Sequence, residues 1–318
     1  MKLRTMYEVA YRSGMAADPR GESGVGRVLG RAKKDFEELP ERKRWEFDKE
    51  TLVNPYADTR ILVGTGDEEV KRALVGIDME VGEILLAESL RAKGNAVDLV
   101  LAHHPEGRAV ARLEEVMVVQ ADIWRTYGVP IAFGDAVMSD RMAEVTRMIH
   151  PSNTERAVAA ARLLGVPFMC CHTPADNNVN KFLQARCDGL GDDVTVDELL
   201  DVLKDIPEYH EAVLQGTGPM IFEGAGARRT GKIMVDMTGG TSGPVESIAR
   251  LAAAGVGTIV GMHMKEEHRK KAKAEHMNVV IAGHVSSDSL GMNLIIDEFE
   301  RQGVEVVPCS GFTRVSRA

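Results

Sequence analysis

The stretch Arg72-Ala73-Leu74-Val75-Gly76-Ile77-Asp78, an apolar stripe at Val81, Ile84 and Leu85, and then Val97-Asp98-Leu99-Val100-Leu101-Ala102-His103-His104-Pro105 decide the fold. A short apolar run, a helical period stopped by Gly94, and a second apolar run read as strand, helix and strand. The order recurs in the C-terminal half. Lys232-Ile233-Met234-Val235-Asp236 leads through a glycine-rich turn to a helix from about Val245 to Ala254. The strand Gly257-Thr258-Ile259-Val260, a charged helix near 265–275 and the run Val279-Val280-Ile281-Ala282 follow. Strands alternating with helices imply βαβ units and mostly parallel sheets, so two related α/β layers are the simplest architecture.

A last helix, Leu290 to Arg301, leads to Val304-Glu305-Val306-Val307, a strand able to return to the first sheet. The first α/β domain is therefore expected over residues 56–187 plus 285–318, and the second over 188–284. Within the latter, 188–231 breaks the rhythm with Ile206-Pro207, Gly216-Thr217-Gly218-Pro219 and Gly224-Ala225-Gly226, and reads as a connector or cap. Residues 1–55 read as a helical, solvent-facing extension, because fourteen of the twenty residues from Arg31 to Glu50 are charged, with both signs mixed.

A chain of 318 residues with 44% hydrophobic and 27% charged side chains has the composition of a globular protein with room for two cores. The net charge of -9 and the lack of a basic stripe argue against nucleic-acid binding. No run approaches the length of a membrane-spanning segment, and Met1-Lys2-Leu3-Arg4 leads into no apolar leader, so a cytoplasmic location is expected. Cys170, Cys171, Cys187 and Cys309 show no CxxC spacing and read as plain thiols.

Three apolar runs end in histidine. His103-His104 is one; Cys171-His172-Thr173-Pro174-Ala175-Asp176 and Gly283-His284-Val285-Ser286-Ser287-Asp288 are the others. Strand ends are where open α/β folds keep their chemistry. Imidazole nitrogen with carboxylate oxygen suits zinc, manganese, iron or nickel, whereas calcium and magnesium prefer oxygen alone. One histidine at a strand end is more often a hydrogen-bonded structural residue; three, two of them with aspartate four residues on, point to metal.

Adjacent strand residues face opposite ways, so His103 and His104 serve one ion only if the chain turns there; otherwise they serve two. An aspartate between two such ions can bridge them. Pro174 favours a turn over a helix across His172 to Asp176. Of the other histidines, His150, His210, His268 and His276 lie mostly in charged, helix-like surroundings, while His263 follows a strand. The turn Asp236-Met237-Thr238-Gly239-Gly240-Thr241-Ser242-Gly243-Pro244 matches neither dinucleotide nor P-loop patterns. Thr238, Gly239 and Gly240 are its candidate anion or substrate contacts, and an ordinary tight βα turn is the alternative.

These motifs resemble the NGG-interacting factor three-like family, also known as type 2 GTP cyclohydrolase I homologues, in its His-His-Pro, His-Thr-x-x-Asp and late Gly-His-x-x-x-Glu. The resemblance spans roughly Leu62 to Pro308. It implies two similar α/β domains around a dinuclear site, with His103, His104, Asp176, His284 and Asp288 as ligands to two divalent ions and His172 beside them. It also implies a ring-shaped homo-oligomer, commonly a hexamer. Two departures stand out: Asp288 replaces the family's Glu, and Glu106-Gly107-Arg108 replaces apolar residues after the proline. Arg108 is a candidate anion contact or a solvated loop residue.

The resulting expectation is a metal-dependent hydrolase of a nucleotide-like or small phosphorylated substrate, with His172 as catalytic acid/base and GTP ring opening as one form of the reaction. The rival is a non-catalytic metal-binding protein that stores, delivers or senses its ion. An open coordination position distinguishes the first from a site closed by protein ligands.

Overall fold

The computed structural model describes residues 1–191 and 193–317. The first half contains α1 (Leu3–Ala17), α2 (Gly21–Glu38), β1 (Arg60–Val63), β2 (Arg72–Gly76), α3 (Val81–Ala92), β3 (Leu99–Ala102), α4 (Gly107–Val110), α5 (Val118–Tyr127), α6 (Ile131–Ile149), α7 (Arg156–Leu164), β4 (Phe168–Cys170) and α8 (Thr173–Asp188). It continues with α9 (Val196–Lys204), α10 (Pro207–Leu214), β5 (Met220–Glu223), β6 (Lys232–Asp236), α11 (Glu246–Ala253), β7 (Val256–Gly261), α12 (Glu266–Ala274), β8 (Asn278–Ile281), α13 (His284–Arg301) and β9 (Glu305–Pro308). No helix among the described residues is long and apolar enough to cross a membrane.

Two similar α/β units result. One sheet has the order β1-β4-β3-β2-β9 and the other β5-β8-β7-β6; in each the strands run parallel except for one antiparallel edge strand, β1 or β5. Alternation along the strands feeds a core on either face. Ala73, Val75, Leu99 and Leu101 join one cluster while Leu74, Val100 and Ala102 join the opposite one. In the second sheet Ile233 and Val235 face one way and Met234 the other. Burial on both sides explains why these strands read as continuous apolar runs.

Three local readings are corrected. The N-terminal extension is helical, but α1 does not face solvent: Leu3, Met6, Tyr7, Ala10 and Tyr11, at helical spacing, enter the core against the first sheet. The charged stretch that follows is the exposed part. Residues 188–231 do more than connect, since α9 and α10 pack Leu199, Leu203 and Tyr209 into the second core and β5 adds an edge strand paired with β8. Finally, His172 to Asp176 enter a helix instead of a turn. Pro174 stands in the first turn of α8, where its missing N–H would have had no intrahelical acceptor anyway.

Two features bring the halves to one place. Helix α13 begins at His284, six residues before the expected start, so His284 and Asp288 share a helical face. Helices α8 and α13 also approach very closely at Gly291, where an added Cβ would lie 2.3 Å from the Ala175 carbonyl oxygen. Glycine is what allows Asp176 and Asp288 to face each other.

Candidate metal centre

All four histidines of the cluster stand just past the C-terminal ends of parallel strands: His103 and His104 after β3, His172 after β4, His284 after β8. In-register pairing of Ala102 with Cys170 makes the His103-His104 and Cys171-His172 segments neighbours. Three imidazoles are then fixed by an outer acceptor. His103 Nδ1–H donates to the Cys171 carbonyl at 3.1 Å, His104 Nδ1–H to Asp78 at 2.6 Å, and His172 Nδ1–H to Asp58 at 2.8 Å. Each turns Nε2 toward the Asp176 and Asp288 carboxylates, the arrangement that orients metal-binding histidine.

Asp288 stands between two groups. Its Oδ1 is 3.3 Å from His103 Nε2, and its Oδ2 is 3.6 Å from His104 Nε2 and 3.7 Å from His284 Nε2. Asp176 approaches His103 Nε2 at 3.5 Å and His172 Nε2 at 3.8 Å. The donor atoms of His103, Asp176 and Asp288 lie within 4.8 Å of one another, as do those of His104, His284 and Asp288, and those of His103, His104 and His172. Thus Asp288 is shared by two compact sets, and His103 and His104 fall into different ones within that pair.

The residues fit a cation. His103 Nε2, Asp176 Oδ1 and both carboxylate oxygens of Asp288 are buried without a hydrogen-bond partner among the described residues, an expensive arrangement for polar atoms. Their electrostatics agree. Burial pushes His103 down to about 4 against the pull of Asp288, leaving a neutral imidazole. Burial lifts Asp176 to about 8; His172 opposes the rise while Asp288 and Asp58 add to it. His172 rises to about 9, because although burial resists its charge, Asp176, Asp58 and Asp288 outweigh that cost. Burial would also raise Asp288, yet His103, then His284 and His104, hold it below the usual carboxylate range. Asp176, raised in this way, holds its proton until a cation replaces it.

A cleft of about 90 Å³ opens onto the cluster. His172, Asp176, His284 and Asp288 line it together with Thr238, Gly239 and Gly240, so the glycine-rich turn and the metal-ligand candidates share one space. His263 lines it too, with its ring centroid 5.0 Å from that of His284, but it stands outside all three donor sets. Arg108 lies elsewhere: its guanidinium pairs with Glu50 at 2.5 Å and donates to the Ile61 carbonyl at 3.1 Å, beside a separate surface hollow.

Asp58 and Asp78, which hold the His172 and His104 rings, are residues that motif reading misses. Asp78 was within reach, since parallel strands β2 and β3 pair Gly76 with Ala102, and two residues further on Asp78 meets His104. Asp58 was not. Its partner follows from antiparallel β1 and β4, where Arg60 opposite Cys170 sets Asp58 opposite His172, a pairing that no local pattern announces.

No family model and no curated protein matches the chain. Solved structures do. A NIF3 superfamily protein from Sphaerobacter thermophilus is 28% identical, with 90% of this chain and 98% of that one covered and a TM-score of 0.70. Reduced HcgD from Methanocaldococcus jannaschii is 16% identical over 87% of this chain and 96% of its own, at a TM-score of 0.49. A Bacillus cereus protein related to NIF3 is 12% identical over 91% and 96%, at 0.42. The first of these carries the fold assignment.

Proposed function

We propose that this chain, a NIF3-like protein, is a dinuclear metal-dependent hydrolase of a small phosphorylated or nucleotide-like substrate. The observation that carries the reading is Asp288: two buried, unpaired oxygens, each facing a different set of histidines. One ion would be held by His103, Asp176 and Asp288 and the other by His104, His284 and Asp288, with zinc, manganese, iron or nickel matching these donors. Two such ions supply an acidified water and a polarised reacting centre when bound.

The chain's own residues supply the rest. Asp288 ties the two sets at fixed separation, and Asp78 and the Cys171 carbonyl stop the His104 and His103 rings from rotating. His172 is the acid/base. Its Nδ1–H is held by Asp58, so Nε2, on the cleft side, is where a proton is accepted or released. Thr173 also donates to Asp58, fixing that carboxylate in turn. An open cleft beside the donors favours catalysis over a purely structural ion, whose protein ligands would close the site.

The test is to load the protein with Zn²⁺ or Mn²⁺ and follow product formation across nucleotides, including GTP, and phosphorylated metabolites, with Asp176→Ala as control. Turnover that collapses in the variant supports the reading. Retained turnover overturns the site, and stoichiometric metal without any turnover favours metal storage, delivery or sensing.

A further inference from the structure

The turn at 238–243, between β6 and α11, forms a wall of the cleft that the metal chemistry leaves unused. Its carbonyl oxygens are engaged by side chains from other elements. Gln120 Nε2 donates to the carbonyls of Gly239 and Thr241, both at 2.7 Å, Arg141 Nε to Ser242 at 2.9 Å, and His268 Nε2–H to Gly243 at 3.0 Å. Gln120, Arg141 and His268 are all more than nine-tenths buried. The N–H groups of Gly239, Gly240, Ser242 and Gly243, by contrast, find no acceptor among the described residues.

Backbone shape agrees. Gly239 and Gly240 have successive positive φ values of 111° and 78°, and a Cβ on Gly239 would lie 2.4 Å from Gln120 Cγ. Successive N–H groups at a tight turn can form an anion-binding concavity. One side chain adds to it: the exposed Lys265 lines the same cleft.

We propose that this turn is an oxyanion cradle that receives the phosphoryl group of the substrate while the reacting part of the molecule lies at the His/Asp cluster. The proposal rests on the hydrolase reading for the second half of that sentence and deepens it by assigning which end of the substrate goes where. Four amides and an ammonium suit the three terminal oxygens of a phosphate better than the two of a carboxylate. Asp236, also on the cleft, supplies an acceptor for a hydroxyl or amine on the ligand's body, and Trp124 with Ile248 gives that body an apolar seat.

Inorganic phosphate, titrated calorimetrically into the full chain with and without Mn²⁺, tests this, alongside measured metal content. The variants are Gln120→Met, which keeps the bulk but removes both donors behind the turn, and Lys265→Ala, a surface change that spares folding. Phosphate affinity is expected to fall about tenfold in the first and about threefold in the second, with metal content unchanged. Wild-type protein that takes up no phosphate, or equal affinity in all three proteins, overturns the cradle. Variant-sensitive phosphate binding in a chain that retains no metal supports the cradle and removes the dinuclear reading, so the two failures are separate.

Discussion

Gly291→Ala places a methyl group at the crossing of α13 and α8. Its Cβ would lie 2.3 Å from the Ala175 carbonyl oxygen and 2.8 Å from the carbonyl carbon, both backbone atoms that no rotamer change can clear. Ordinary contact begins near 3.4 Å, so the helices must part by about 1 Å locally. Overpacking of this kind costs about 1–3 kcal/mol. The functional loss should be larger than that cost suggests, because Asp176 follows Ala175 directly and Asp288 stands one turn before Gly291, while metal–ligand distances tolerate only about 0.2 Å. Urea denaturation of metal-free protein gives the stability change, and Mn²⁺ binding followed by electron paramagnetic resonance gives the affinity change. The expected outcome is a folded protein, destabilised by about 1–3 kcal/mol, whose Mn²⁺ affinity falls at least tenfold. Affinity equal to wild type would refute the claim that this helix contact sets the ligand geometry.

Replacing Asp58 by Asn removes the anion that holds His172 Nδ1–H while keeping its shape, so turnover should drop about 10–100-fold with both ions retained; loss of metal instead would show that Asp58 serves coordination. Metal itself should stabilise the fold, and 100-fold excess over Kd should add about 2.7 kcal/mol, removed by chelator and read as a thermal shift; no shift would argue against binding to the folded state. Asp48 gives a pH prediction: burial would raise its carboxyl, but the Arg60 guanidinium at 2.9 Å holds it below the usual carboxylate range. Its stabilising contribution is therefore complete above about pH 4 and lost as pH falls through the depressed value. Denaturant midpoints of wild type and Asp48→Asn should converge as the pH falls below about 4, and a constant gap would contradict the assignment.

The βαβ rhythm and the histidine motifs were legible because each is local: apolar runs, a glycine stop, a His at the end of a strand. The antiparallel edge strands β1 and β5 were not, since they are short, and Met220 and Phe222 of β5 remain exposed. Helix α1 was masked by the charged run beyond it, although its apolar spacing was present in the residues. Pro174 misled because a proline two residues before a carboxylate reads as a break, whereas position within the first turn reverses its meaning. Asp176 and Asp288 both read as carboxylates able to tie two ions together; the meeting of α13 with two segments of the other sheet leaves Asp288 shared by two donor sets and Asp176 in one of them.

The most direct test of the dinuclear assignment is anomalous scattering from crystals of Mn²⁺- or Zn²⁺-loaded protein. Two peaks about 3.5–4 Å apart, one on each side of the Asp288 carboxylate, are predicted. A single peak, or ions placed away from Asp288, would contradict it.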